Sequence, residues 1–428
     1  MPWQALLLAM TLVLLVKLVV NLRLYTLIWR QTLGDDMVLP PLRGGRQLVL
    51  LVRVLAEESH VARCIRAHQY ILRECDNTLL VFAGSDAELD DDGSHPTLCA
   101  VETFLKSNEA AGIQDRVLFF QAPRKAGVGI AFQSNHAIEQ LSTYFPDDSK
   151  IWVKTLDIDT VLSRANLIEL SDAVNDDKEV IEIPAAYFAN YHRLGLAQKL
   201  HAIYQDRWSV VSEQFLGRLK NRFHLVYSNS SGAGCCINVR RLRELGMFPT
   251  ETDIEDIHLS FLINATGGDI HTTKSRVSSD VPSTLRQGLK QEYEWSFGAL
   301  DVPYYFANLR RSHAARIRNT HMVSAIVTTA WLNAKWALFS VAYVASIAVS
   351  VFVYAPAAVL PAVVTVDFVI YGFIVNRQLN MSWRTQLATT VAMPLQIFRI
   401  SLPCLAAVTT RVTLIRRRKR EGVYKTQH

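Results

Sequence analysis

The stretch Ile151-Trp152-Val153-Lys154-Thr155-Leu156-Asp157-Ile158-Asp159 decides the fold. It is largely apolar and β-branched, which suits a buried strand. It closes on two carboxylates one residue apart, and side chains at i and i+2 of an extended backbone point to one face. Hard divalent cations take oxygen ligands, and Mg²⁺ is commonly held by one or two carboxylates plus substrate phosphates. Asp157 and Asp159 therefore mark a candidate metal-diphosphate site. An acidic pair in a solvated turn has the same letters, so the flanking chain has to separate the two.

Working outward, Leu48–Leu55 reads as a buried strand followed by a helical pattern through Ile71. Thr78–Phe82 is a second strand, ending at Ala83-Gly84-Ser85-Asp86, and Arg116–Phe120 is a third. Gly127–Leu141 reads as the helix before Ile151–Leu156. Such alternation predicts an α/β domain, a mostly parallel sheet with helices on both faces. Ligands of such sheets bind at the carboxyl ends of the strands, which is where Asp157 and Asp159 lie.

The 428 residues are 50% hydrophobic and 20% charged, with mean hydropathy +0.13. A soluble globular chain is usually less apolar and more charged, and here the excess sits at the two ends. Ala5–Val20, continuing to Trp29, approaches the length of a membrane span. It has no basic n-region and no clean cleavage site, so an uncleaved anchor is expected rather than a signal peptide. Lys17, Arg23, Arg30, Arg43 and Arg46 follow its apolar start, which by the positive-inside rule puts the chain after about residue 30 in the cytosol. Ala337–Tyr354 and Ala357–Val375, separated by Pro356, are candidate spans. Leu387–Ile415, with Pro394, Arg399, Pro403 and Arg411, reads as a third span or a helix lying in the interface. His321–Trp336 is interrupted by Asn333 and Lys335 and reads either way. Two spans plus an interfacial helix keep the basic run Arg416–Arg420 on the cytosolic side, as the charge rule prefers; three spans export it.

Net charge is +6, and that basic run nearly accounts for it. It reads as a membrane-surface flank, and a nucleic-acid partner is not expected. Cys64, Cys75, Cys99, Cys235, Cys236 and Cys404 make no C-x-x-C or zinc spacing, and reduced buried thiols are expected. Asp90-Asp91-Asp92-Gly93 lacks the acidic twelfth position of a calcium loop and reads as a solvated turn. His258 and His271 are isolated and read as structural.

Downstream, Thr252-Asp253-Ile254-Glu255-Asp256-Ile257-His258-Leu259 opens an amphipathic run on an acidic pair. Asp280, Pro282 and Gln291-Glu292-Tyr293-Glu294-Trp295-Ser296-Phe297-Gly298 follow. With Asp157/Asp159, Gly232-Ala233-Gly234 before Arg240-Arg241, Glu255-Asp256 and Gln291…Trp295 in this order, the sequence resembles the membrane-integrated family 2 glycosyltransferases of the GT-A fold. That family includes cellulose, chitin and hyaluronan synthases and their non-processive relatives. The resemblance covers about residues 47–300 and the arrangement of flanking spans.

The resemblance implies an N-terminal anchor over 1–30, a cytosolic GT-A domain over 46–280 and interfacial helices with Gln-x-x-x-Trp over 281–317. A membrane region over 318–415 and a basic tail over 416–428 complete it. It implies inverting transfer from a nucleotide-sugar, expected to be a UDP-sugar, with Mg²⁺ or Mn²⁺ as cofactor. Asp256 matches the catalytic base; Asp159 and Asp157 match the metal site. Asp157, Asp86 and Glu57 are the expected donor contacts, and Gly232, Gly234, Glu255, Gln291 and Trp295 the expected acceptor contacts.

The departures are informative. Glu294 stands where the family has an arginine able to pair with diphosphate, and Lys274, Arg276 and Arg286 are the nearby cations. Ala83 stands where a base-recognising aspartate is expected, with Asp86 later; of Pro-x-x-Asn-Glu only Glu57 survives, in Arg53-Val54-Leu55-Ala56-Glu57. The expected activity is addition of sugar to a growing cell-surface polysaccharide at the cytosolic membrane face. Few spans imply a narrow channel, a homo-oligomer or a partner. Transfer of a single sugar to a lipid-linked acceptor is the alternative, and a degenerate assembly subunit a second one.

Overall fold

The computed structural model describes residues 2–29, 39–89, 93–123, 129–223, 232–250, 252, 254–312 and 319–421. The Asp90–Asp92 turn and the end of the basic tail from residue 422 lie outside them, as do the side chains of Arg416–Arg420. Helix α1 (Pro2–Trp29) precedes β1 (Gln47–Arg53), α2 (Glu58–Glu74), β2 (Thr78–Ser85), α3 (Pro96–Leu105), β3 (Val117–Ala122), α4 (Ile130–Tyr144) and β4 (Ile151–Asp157). Next come α5 (Arg164–Asn175), β5 (Val180–Glu182), β6 (Ala185–Ala186), α6 (Leu196–Trp208), a π-helical turn (Ser209–Phe215) and α7 (Leu216–Phe223). The body closes with β7 (Cys235–Asn238), α8 (Val239–Glu244), α9 (Glu255–Ala265), β8 (His271–Thr272) and β9 (Val277–Ser278).

The main sheet has the order β3-β2-β1-β4-β7-β5-β8. β1, β2, β3 and β4 are parallel; β7 runs against both β4 and β5; β5 and β8 are parallel. The mostly parallel sheet expected from strand–helix alternation is thus present, with the β7 reversal added. Side chains alternate between faces along each strand. Leu48, Leu50, Val52, Leu80, Phe82, Trp152 and Leu156 join one core with α2, α3 and α5. Val49, Leu51, Val81 and Val153 join the other with α4, α8 and α9. α2 earns its place by spacing: Val61, Cys64, Ile65, His68, Ile71 and Leu72 fall on one buried stripe. Ser163 and Asn166 cap α5 reciprocally.

Beyond the body lie α10 (Leu285–Ala299), α11 (Val302–Ser312), α12 (Asn319–Phe352), α13 (Val359–Gln378) and α14 (Trp383–Glu421). Among the described residues three stretches are long and apolar enough to cross a membrane: Leu8–Tyr25, Ala355–Gln378 and Trp383–Thr413. The doubtful stretch His321–Trp336 and the apolar run after it form one continuous helix, α12, whose shorter apolar part is Leu338–Phe352. The expected break at Pro356 is a tight turn, Ala355–Ala358. α14 continues through Pro394 and Pro403.

α6 ties these helices to the body. Asp206 accepts hydrogen bonds from Arg276, from the Tyr371 hydroxyl of α13 and, at 3.0 Å, from the Tyr187 N–H. The next residue, Arg207, pairs with Asp367 of α13, which also accepts from Asn21 Nδ2 at 3.1 Å and Tyr25 Oη at 3.0 Å of α1. Charges among apolar helices persist where they are paired in this way.

Candidate active site

β1 and β4 end side by side, with Arg53 in register with Asp157. Arg53 Nη2 donates to Asp157 Oδ1 at 2.6 Å, and its Nη1 donates to Glu255 Oε1 at 2.7 Å. One buried guanidinium therefore holds the strand-end carboxylate and the start of α9 together. Glu255 and Asp256 form the first turn of α9, where the helix dipole favours negative charge. Asp256 Oδ1 accepts from the Ile257 N–H at 2.7 Å. Burial, and then the adjacent Glu255 carboxylate, push the Asp256 carboxyl up to about 7; Arg53 and the Gly232 N–H pull the other way.

The Gly232-Ala233-Gly234 turn is fixed from below by β4. Thr155 Oγ1 donates to Gly232 O at 2.6 Å, and Lys154 Nζ to Ala233 O at 2.5 Å. A Cβ at Gly232 would sit 3.2 Å from Arg53 Nη2 and 3.5 Å from Asp256 Oδ2, so a larger residue there would press on the Arg53 fork while glycine leaves it in place.

Asp157 is exposed to the cleft and Asp159 is partly covered. Burial, then Asp157 and Asp280, raise the Asp159 carboxyl to about 7. Asp280 in turn pairs with Arg63 at 2.7 Å. No group of three ligating side chains occurs among the described residues. A crowded carboxylate pair with space in front fits a divalent cation that takes its other ligands from diphosphate and water.

These groups face one cleft of about 1200 Å³. Glu57, Asp157, Asp159, Gly232, Glu255, Asp256, Gln291 and Trp295 all line it, so most residues expected at the site converge there. Asp86 and Gly234 do not. Asp86, just after β2, accepts from Gln121 Nε2 of β3 at 2.5 Å, and the Gly234 carbonyl accepts from the Ile183 N–H at 3.0 Å. Glu294 lines the cleft and pairs with Lys290 at 3.5 Å. Of the nearby cations, Lys274, Arg276 and Arg286 are not on the cleft wall; Arg276 is held by Asp206. Among the described residues Arg53 is the lining cation, against Glu57, Asp157, Asp159, Glu213, Glu255, Asp256, Asp280, Glu292 and Glu294. His258 is buried, its ring stacked on Tyr305 at 4.5 Å, as a structural residue.

Arg53, Asp280 and Glu292 fall in the quoted motifs but carry no expected role, and Gln205 falls in none. Arg53 carried a signal: it ends a strand that a parallel sheet sets beside the Asp157 strand. The far wall, formed by Tyr204, Gln205 and Trp208 of α6 and by Ser212 and Glu213 of the π-helical turn, has no motif. π-helical turns recur at functional sites.

Comparisons with known proteins bear on the fold and the family. Over nearly the full chain, the fold is similar to the mannosyltransferase PcManGT from Pyrobaculum calidifontis, solved in complex with GDP-Man and Mn²⁺. The TM-score is 0.52 at 15% identity, covering 93% of this chain and 99% of that one. A sequence search of curated proteins finds no match. Residues 152–371 match the family model described as glycosyl transferase family group 2. A GT-A-like sheet, with the acidic cleft at its strand ends and a family match that takes in Asp157, Asp159, Glu255 and Asp256, makes this chain a member of glycosyl transferase family group 2, and a glycosyltransferase.

Proposed function

We propose that the protein is an inverting, divalent-metal-dependent glycosyltransferase that moves sugar from a nucleotide-sugar to a growing polysaccharide at the cytosolic face of a membrane. The observation that carries this reading is the bridge from Asp157 through Arg53 to Glu255, which sets the strand-end carboxylates opposite Asp256 within one cleft. Inverting transfer needs a base for the attacking hydroxyl, and Asp256, with its raised pKa, is suited to take that proton near neutral pH. Asp159 and Asp157 would hold the cation. A divalent ion there supplies the positive charge that a departing diphosphate requires. Gly232 brings backbone against Arg53 and Asp256, and Trp295 gives the acceptor an apolar wall. The fold likeness to a mannosyltransferase solved with GDP-Man and Mn²⁺ supports a nucleotide-sugar and a divalent ion here. The motif resemblance favours a UDP-sugar.

The three apolar helices make a small membrane part, which favours a second reading, one sugar per acceptor. Membranes holding the full chain, incubated with Mg²⁺ or Mn²⁺ and a panel of UDP- and GDP-sugars, test the proposal by nucleotide release. Release from one donor, dependent on the metal, is expected; no release from any donor rejects it. The length of labelled product separates chain growth from single addition.

A further inference from the structure

Behind the cleft, α6, α10 and α14 meet around buried polar side chains. Gln205 Nε2 donates to Gln291 Oε1 at 2.9 Å, and both residues line the cleft. Glu292 lines it too, at 1% exposure; Gln205 and Arg399 both act on its carboxyl group, and its Oε2 has no hydrogen-bond partner among the described residues. Gln205, at 4% exposure, has an equally unpartnered Oε1. Gln396 Oε1 and Arg399 Nε on the same three-helix junction or its flanks are unpartnered as well. Buried polar atoms are nearly always paired, and an orphan bears the desolvation penalty with no bond to offset it. Their concentration behind one wall of an open cleft marks a surface shaped for a hydroxyl-bearing ligand.

The surrounding charge states which kind. Glu213, Glu255, Asp256, Glu292 and Glu294 line the cleft, and Arg53 is already held by Asp157 and Glu255. Arg399 faces Glu292 from α14 but does not line the cleft. A phosphate head brought here would meet like charge. Sugar hydroxyls would meet acceptors, and Tyr293, Trp295 and Phe297 add ring faces. We propose that Gln205 and Glu292 form an acceptor subsite for an uncharged sugar ring, whose hydroxyls donate to Gln205 Oε1 and Glu292 Oε2. The inference rests on the transferase reading above and narrows it: the acceptor presents neutral carbohydrate to the cleft, not a bare phosphate.

The test uses the full chain with the donor found by nucleotide release. The probes are cellotetraose, chitotetraose and mannotetraose, their octyl glycosides, and decaprenyl phosphate. Elongation of at least one neutral glycan or octyl glycoside is expected. Glu292→Gln and Gln205→Ala should each raise the KM for that acceptor about tenfold, the loss of one hydrogen bond to a charged or buried partner, while the donor KM moves less than about twofold. Glu292→Gln is nearly isosteric; if it does not fold, Gln205→Ala carries the test alone. Activity on free glycans identifies a soluble source of the sugar, and activity on octyl glycosides alone a membrane-held one. Elongation of decaprenyl phosphate only, elongation of no probe, or an unchanged acceptor KM in the variants overturns the subsite. A wild-type chain that releases no nucleotide from any donor instead overturns the transferase reading beneath it.

Discussion

Arg53 and Asp157 are the terminal residues of two neighbouring parallel strands, paired in register, and their side chains meet at 2.6 Å. The same guanidinium reaches Glu255 at 2.7 Å, so one cation organises both halves of the cleft.

Arg53→Met should therefore cost stability and activity together. The Arg53 side chain is 6% exposed, and its removal strands Glu255, which is 13% exposed. Breaking a buried pair costs about 3–5 kcal/mol, and the expected loss is about 2–3 kcal/mol because Asp157 reaches solvent. Arg53→Lys restores the charge but not the fork, so it should recover only part. Thermal unfolding in detergent reads the effect; a Met variant as stable as wild type would contradict the bridging role.

Asp256 should set the acid limb of the pH profile. Its carboxyl is raised to about 7, so below that pH it holds its proton and cannot accept another. kcat/KM should rise about tenfold per pH unit below 7 and level above it. Asp256→Asn should lower the rate by on the order of 10²–10⁴ and erase that limb. A flat wild-type profile between about pH 5.5 and 8 would remove Asp256 from the role of base.

Removing the metal site should stop transfer. Glu294 stands on the cleft and none of Lys274, Arg276 and Arg286 lines it, so under the proposed mechanism the ion would carry more of the leaving-group charge. Asp159→Ala should reduce nucleotide release by on the order of 10²–10³, the several kcal/mol expected of such an ion. Chelation of the wild type should do the same, reversed by added Mn²⁺. Substantial turnover in the Ala variant would sink this account.

Asp367→Ala should unfold the junction between the body and the apolar helices. Asp367 holds Arg207, whose side chain is 3% exposed, and also accepts from Asn21 and Tyr25. An unpaired buried guanidinium costs about 3–5 kcal/mol. Asp367→Asn keeps the shape and should lose less; equal stability of the Ala variant and wild type in lipid would argue that Arg207 has another partner.

Much of the catalytic body is legible from local pattern. Strand periodicity places β1 to β4 within a few residues, and the carboxylates at Asp157, Asp159, Glu255 and Asp256 fall within motifs only a few residues long. Arg53 is not legible that way, because its partners lie 104 and 202 residues away. The cleft wall of Gln205 and Glu292 is created by the packing of three helices and has no sequence period. Asp86, expected at the donor, is instead turned by the short 3₁₀ segment after β2 toward Gln121. α12 carries Asn333 and Lys335 within one continuous helix, because a polar residue interrupts the apolar run without ending a helix as proline or glycine would.

Helix α6 faces two ways. Tyr204, Gln205 and Trp208 shape the cleft, while the intervening Asp206 and Arg207 are fastened to Tyr371 and Asp367 of α13. Neither half of the molecule is then a separable cassette. A catalytic body grafted onto foreign anchoring helices would inherit an α6 with nothing to grip. Drift in one half constrains drift in the other, and relatives of this chain should exchange the two halves only as a matched set.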